Sequence, residues 1–188
     1  MQKTIYIVGC GAESTGKTTL LLNLHDYYAN QGYDVAYIEE YLRIPCEEQI
    51  KDTGLLKFNF RPEDFVNIIV KHICAELDHN DKQIVFCDTD PFTIQIWCKR
   101  YCNTIPDYIA QLAEDIRDKF YLVTEYDPIL TPLVQDGLRD GSEEIRQRMD
   151  AEFKQLLRDS DKTYAIIGGP LGDRLGAAIE EINKILTD

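Results

Sequence analysis

From end to end, the chain alternates short apolar runs with longer stretches of helical period. Thr4 to Val8 is a brief β-branched and aromatic run that reads as a strand. From Lys17 to Asn30 the apolar positions Leu20, Leu21, Leu24 and Tyr27–Tyr28 follow helical spacing, and Gln31-Gly32 stops the helix. Val35 to Ile38 reads as a second strand, followed by a stretch without clear period. Pro62 suits the first turn of a helix that runs to about His79. Ile84 to Cys87 is continuously apolar, as expected of a strand covered on both faces.

Two more helices are predicted over 91–102 and 106–118, and then a strand from Phe120 to Thr124. A polar, glycine-punctuated segment over 126–142 precedes a charged helix at 143–158. Tyr164 to Ile167 is a last strand and Asp173 to Leu186 a last amphipathic helix. Strands alternating with helices imply an α/β fold: a parallel sheet of about five strands with helices on both faces. With no repeat, low-complexity tract or linker in the 188 residues, one domain over 1–188 is expected.

Between the first strand and the first helix stands Gly11-Ala12-Glu13-Ser14-Thr15-Gly16-Lys17-Thr18-Thr19, a P-loop in the context that motif requires. Its glycines let backbone amides curl around phosphate oxygens without Cβ clashes, and the helix N-terminus adds partial positive charge. Lys17 is expected to reach the terminal phosphates and Thr18 to place its hydroxyl on Mg²⁺. The chain is therefore expected to bind ATP with Mg²⁺, using Gly11 through Thr19.

Ligands of open α/β sheets gather at the carboxyl ends of strands. Two acidic clusters fall there: Glu39-Glu40 after the second strand, and Asp88-Thr89-Asp90 after the third. A kinase acting on a hydroxyl needs a carboxylate to orient that hydroxyl and an acid near the metal. Glu40 and Asp90 are candidates for the first task and Asp88 for the second. Glu39 is expected to face solvent. Arg139, between Gly137 and Gly141, and Arg146 beyond it suit a short lid over about 126–148 that lays guanidinium groups on phosphoryl oxygens. Arg148 is out of phase with Arg146 on the helix. Gly169 to Arg174, after the last strand, suits the edge of an adenine ring.

A formal charge of −13 disfavours nucleic acid and anionic membrane as partners. Six cysteines without a Cys-x-x-Cys pair read as buried reduced thiols, and there is no signal peptide or long apolar run, so a cytoplasmic protein is expected.

Taken together, these motifs resemble the ribosylnicotinamide kinase domain of the NadR family. The matching segments, in order, are the loop from Gly11 to Thr19, Glu40-Tyr41-x-Arg43 and Phe86-Cys87-Asp88-Thr89-Asp90 with Gln95 beyond it. Val134-Gln135-Asp136-Gly137-Leu138-Arg139, Arg146 and Asp173-Arg174 complete the series, which spans roughly residues 4 to 186. The resemblance implies transfer of phosphate from ATP to the 5′-hydroxyl of nicotinamide riboside, giving nicotinamide mononucleotide. Two features depart from the family. There is no His-x-Gly-His element for an adenylyltransferase step, so the kinase step alone is expected. Where the family tends to have a tryptophan for stacking on the substrate's base, this chain has Leu133; Tyr41, Phe92, Trp97 and Tyr101 are the aromatics available to compensate.

Other readings keep the P-loop and change its use. A regulatory GTPase lacks support, because no Asn/Thr-Lys-x-Asp element follows the fourth strand. A DNA-linked ATPase fits poorly with the acidic charge. A kinase for another nucleoside or a vitamin alcohol fits the same residues.

Overall fold

The computed structural model describes residues 3–53, 58–114, 118–133 and 142–187. Five strands form one parallel sheet: β1 (Ile5–Cys10), β2 (Val35–Ile38), β3 (Ile84–Asp88), β4 (Lys119–Thr124) and β5 (Thr163–Ile167), in the order β2-β3-β1-β4-β5. The helices are α1 (Lys17–Asn30), α2 (Arg43–Thr53), α3 (Pro62–Asp78), α4 (Pro91–Cys102), α5 (Asp107–Ala113), α6 (Glu143–Arg158) and α7 (Leu171–Leu186).

Each central strand is apolar on both sides because both faces of the sheet are covered. Tyr6, Val8 and Cys10 of β1 join a core with Phe65 and Ile69 of α3, Ile94 of α4, Ile109 of α5 and Phe153 of α6. Ile7, between them, points the other way, into a core with Leu20, Leu21 and Leu24 of α1 and Ala178 and Ile182 of α7. The strand order reverses direction at β1, which has β3 on one side and β4 on the other. That switch point opens a crevice at the carboxyl end of β1, where the P-loop begins.

Most of the elements read from the sequence are present, with ends shifted by a residue or two. The exception is α2, which occupies a stretch that reads as irregular. Its sequence, Arg-Ile-Pro-Cys-Glu-Glu-Gln-Ile-Lys-Asp-Thr, is polar and carries Pro45. Proline is tolerated there because first-turn amides have no intrahelical acceptor. Leu42 and Cys46 bury enough surface to hold the segment against the core. The helix expected over 106–118 ends at Ala113. All six cysteines are free thiols, and Cys74 is exposed rather than buried. No helix among the described residues is long and apolar enough to cross a membrane.

Candidate active site

The loop from Gly11 to Gly16 alternates backbone hand. Gly11, Ser14 and Gly16 have φ of 138°, 56° and 85°, an alternation that turns successive amides toward one concave side. Glycine is required at 11, where a Cβ would lie 2.7 Å from the Thr124 carbonyl oxygen. Thr124, at the end of β4, also meets Thr15 through hydroxyls 2.6 Å apart. Gly16 is the N-cap of α1 and offers no side chain to the first-turn amides, which leaves them for a ligand. The ammonium of Lys17 donates to the Ala12 carbonyl at 2.9 Å.

Beside this cradle, the Thr18 hydroxyl donates to Oδ2 of Asp88 at 2.5 Å, and the Tyr37 hydroxyl donates to the same oxygen at 3.2 Å. Burial and the adjacent carboxylate push the Tyr37 phenol up, so it stays a neutral donor. The other oxygen of Asp88 is buried and has no hydrogen-bond partner among the described residues. Two adjoining cavities of about 380 and 350 Å³ share Thr18, Glu40 and Arg43. The first also presents Lys17, Thr19, Trp97 and Leu171, and the second presents Asp88. Lys17, Thr18, Glu40 and Asp88 are therefore brought to one place from α1, β3 and the loop after β2.

Asp90 lies elsewhere. It is fully buried, caps α4 by accepting from the amide and hydroxyl of Thr93, and takes bonds from Lys119 and Tyr121 on its second oxygen, both at 3.0 Å. Lys119 is buried too and also bonds Glu76 at 2.8 Å. Thr89 separates the two aspartates. Its φ of 70° is a strained value for a β-branched residue, and its amide donates to the Gly9 carbonyl. The turn sends Asp88 to the P-loop and Asp90 into the core. Of the three carboxylates expected at the site, Asp88 and Glu40 border the cavities, whereas Asp90 is turned into the core.

The expected lid arginines are likewise rearranged. Arg139 lies outside the described residues, and Arg148 is exposed. Arg146 is buried and donates to the backbone carbonyls of Glu13 and Thr131 rather than presenting itself over the cradle. Arg174, expected to contact nucleotide, donates to the carbonyls of Thr15, Glu125 and Gly169.

Sequence reading overlooked Arg100. Its guanidinium pairs with Glu13 at 2.8 Å in a nearly buried bridge and lies over the rings of Trp97 and Tyr101, at 5.5 and 5.1 Å. The i, i+3 spacing of Trp97 and Arg100 on one helix is the only signal for this in the sequence. Of the four aromatics considered for stacking, Trp97 reaches the P-loop cavity. Tyr101 backs it, Phe92 packs on Tyr121, and Tyr41 packs on His72.

A parallel sheet in this order, with a phosphate cradle leaving its central strand, defines a P-loop nucleotide-binding protein of kinase-like fold. The AAA domain family matches residues 6–174, and the chain belongs to that family. Among curated relatives, the trifunctional NAD biosynthesis/regulator protein NadR of Salmonella typhimurium (strain LT2) is 25% identical over 163 residues, 85% of this chain and 36% of the relative. NadR of Escherichia coli (strain K12) is 26% identical over 158 residues, 82% of this chain and 34% of the relative. The chain thus spans about a third of the length of these relatives. Many solved structures share the fold. Thymidylate kinase from Ehrlichia chaffeensis has a TM-score of 0.65 at 16% identity, covering 99% of both chains. A NadR protein in complex with NR has a TM-score of 0.62 at 21% identity, covering 96% of this chain and 51% of that one. The resemblance to NadR read from the motifs therefore extends across most of the chain.

Proposed function

We propose that this chain is an ATP-dependent kinase that phosphorylates the 5′-hydroxyl of nicotinamide riboside to give nicotinamide mononucleotide. The observation that carries this reading is the convergence of Thr18 on Asp88 beside Lys17, with Glu40 on the wall that both cavities share. The NadR relatives, and the NR-bound NadR structure among the fold neighbours, support the choice of acceptor.

The loop amides and the first turn of α1 hold the phosphates, and Lys17 exchanges the Ala12 carbonyl for phosphate oxygens. Asp88 and Thr18 fit Mg²⁺: both are hard oxygen donors, and Asp88 keeps one buried oxygen without a hydrogen-bond partner among the described residues. Bound there, the ion would neutralise charge on the β- and γ-phosphates. Glu40 orients the acceptor hydroxyl and takes its proton as the oxygen bonds to the γ-phosphorus. The bond from that phosphorus to the bridging oxygen breaks, and ADP leaves. Asp90 has no part in this step, because both its oxygens are engaged in the core. Trp97 borders the cavity from the buried core, where its ring carries the Arg100 guanidinium rather than a cationic base.

Leu133, half-buried next to the cavity residues Thr131 and Pro132, favours a second reading with the same chemistry and another nucleoside or vitamin alcohol as acceptor. Incubation with ATP, Mg²⁺ and a panel of nucleosides and vitamins, followed by mass spectrometry, separates the two. Nicotinamide riboside gains one phosphate under the first reading. If no compound in the panel does, the kinase assignment fails.

A further inference from the structure

Two buried arginines grip the outer side of the phosphate loop. Arg146 donates from Nε to the Glu13 carbonyl at 3.0 Å and from Nη2 to the Thr131 carbonyl at 2.5 Å, with its guanidinium 4.8 Å from the centre of the Tyr126 ring. Arg174 donates from Nη1 to the Thr15 carbonyl at 3.0 Å, from Nη2 to that of Glu125 at 3.1 Å and from Nε to that of Gly169 at 2.9 Å. Their exposures are only 1% and 2%, although charged side chains are rarely fully buried unless something requires it.

The two gripped carbonyls flank Ser14, whose φ of 56° is strained for a residue with a Cβ. In such a loop, carbonyls turned outward and amides turned inward are two sides of one backbone arrangement. We propose that Arg146 and Arg174 are positioning residues for nucleotide binding. By fixing the Glu13 and Thr15 carbonyls outward, they hold Ser14 left-handed, so the loop amides converge before a phosphate arrives. Preorganisation of this kind strengthens binding by removing an ordering cost. The same bonds tie the cradle to Thr131 and to Gly169, two residues before Leu171, so segments that line the cavity are set together with its floor. The proposal rests on the cradle being a nucleotide site and is independent of the acceptor.

Lysine cannot replace either arginine, because one ammonium does not span carbonyls in separate segments as the guanidinium fork does. Calorimetric titration of the full chain with ADP and Mg²⁺, alongside thermal melting without ligand, tests the idea. Arg146→Lys and Arg174→Lys are expected to weaken ADP binding by about tenfold or more. Where turnover is measured, KM for ATP rises by a similar factor and kcat at saturating ATP stays within about threefold. A variant that melts like the wild type and binds ADP as tightly overturns the proposal. Should the lysine variants fail to fold, Ser14→Val against Ser14→Ala reads the same device, with alanine controlling for the hydroxyl. Valine's branched Cβ resists the left-handed conformation, so weaker ADP binding by S14V than by S14A supports the proposal and equal binding overturns it. If the wild type itself binds no ADP, the nucleotide reading and the proposal fail together.

Discussion

The hydroxyl of Thr18 and the carboxylate of Asp88 stand 2.5 Å apart, joining the first turn of α1 to the end of the neighbouring strand. The sequence separates them by seventy positions, and the pairing of β1 with β3 brings them together by placing Gly9 opposite Asp88.

Asp88→Asn and Thr18→Val are each expected to lower kcat by roughly 10²–10³-fold and to raise the Mg²⁺ concentration needed for half-maximal rate. Lys17→Ala is expected to abolish turnover with the melting temperature preserved. Steady-state ADP release across a Mg²⁺ titration measures all three, and wild-type turnover in Asp88→Asn would remove Asp88 from the site.

Glu40 and Asp90 separate by readout. Glu40→Gln is expected to reduce turnover by about 10²-fold or more while leaving stability unchanged. Asp90→Ala takes a carboxylate partner from the buried Lys119 and removes the α4 cap, and is expected to destabilise the fold by about 3–5 kcal/mol. Denaturant titration and single-turnover kinetics on both variants distinguish these roles. A stable, inactive Asp90 variant would return the base to Asp90.

Acid is expected to destabilise the protein through His72 first. Burial lowers this imidazole to about 4, with the Asp90 carboxylate opposing that shift only in part. The unfolded imidazole titrates near 6.5, so between pH 6.5 and 4 the unfolded chain holds a proton that the folded chain does not. Stability therefore falls as pH falls through that window, by about 3 kcal/mol in all. At lower pH Asp90 follows. Burial pushes its carboxyl up, but Lys119 and the Thr93 amide and hydroxyl outweigh burial and hold it below the usual carboxylate range. Its contribution is present above the ordinary carboxylate value and is lost as pH falls through the depressed one. Unfolding free energies from urea melts at successive pH values check this. His72→Gln should flatten the profile between pH 4 and 6.5, and an equally steep profile would refute the assignment.

Trp97→Ala is expected to destabilise the fold by about 3–5 kcal/mol in denaturant titration, because the ring is buried in the core and carries Arg100. Leu133→Trp is expected to tighten nicotinamide riboside binding by adding the family's stacking ring. Titration of the wild type and the Leu133→Trp variant with nicotinamide riboside tests whether that base is the one the cavity holds, and unchanged affinity would count against it.

The sequence by itself determined the parallel α/β fold, the cradle and its Lys17 and Thr18. These features depend on local pattern: apolar runs for buried strands, helical spacing for α1, and glycines at the positions of the loop that need unusual φ. What it left undecided depends on contacts between distant segments. Asp88 and Asp90 both read as site carboxylates, and only the strained turn at Thr89, facing the P-loop on one side and Lys119 on the other, gives them different fates. Arg146 reads as a lid or surface arginine and Arg174 as a nucleotide contact, since nothing local marks a side chain with a partner carbonyl more than a hundred positions away. The helix α2 was invisible for a related reason: its weak apolar period is offset by packing of Leu42 and Cys46 on a core drawn from other elements. Local periodicity fixed which elements form, and the pairing of strands around β1 decided which side chains became the site and which became its support.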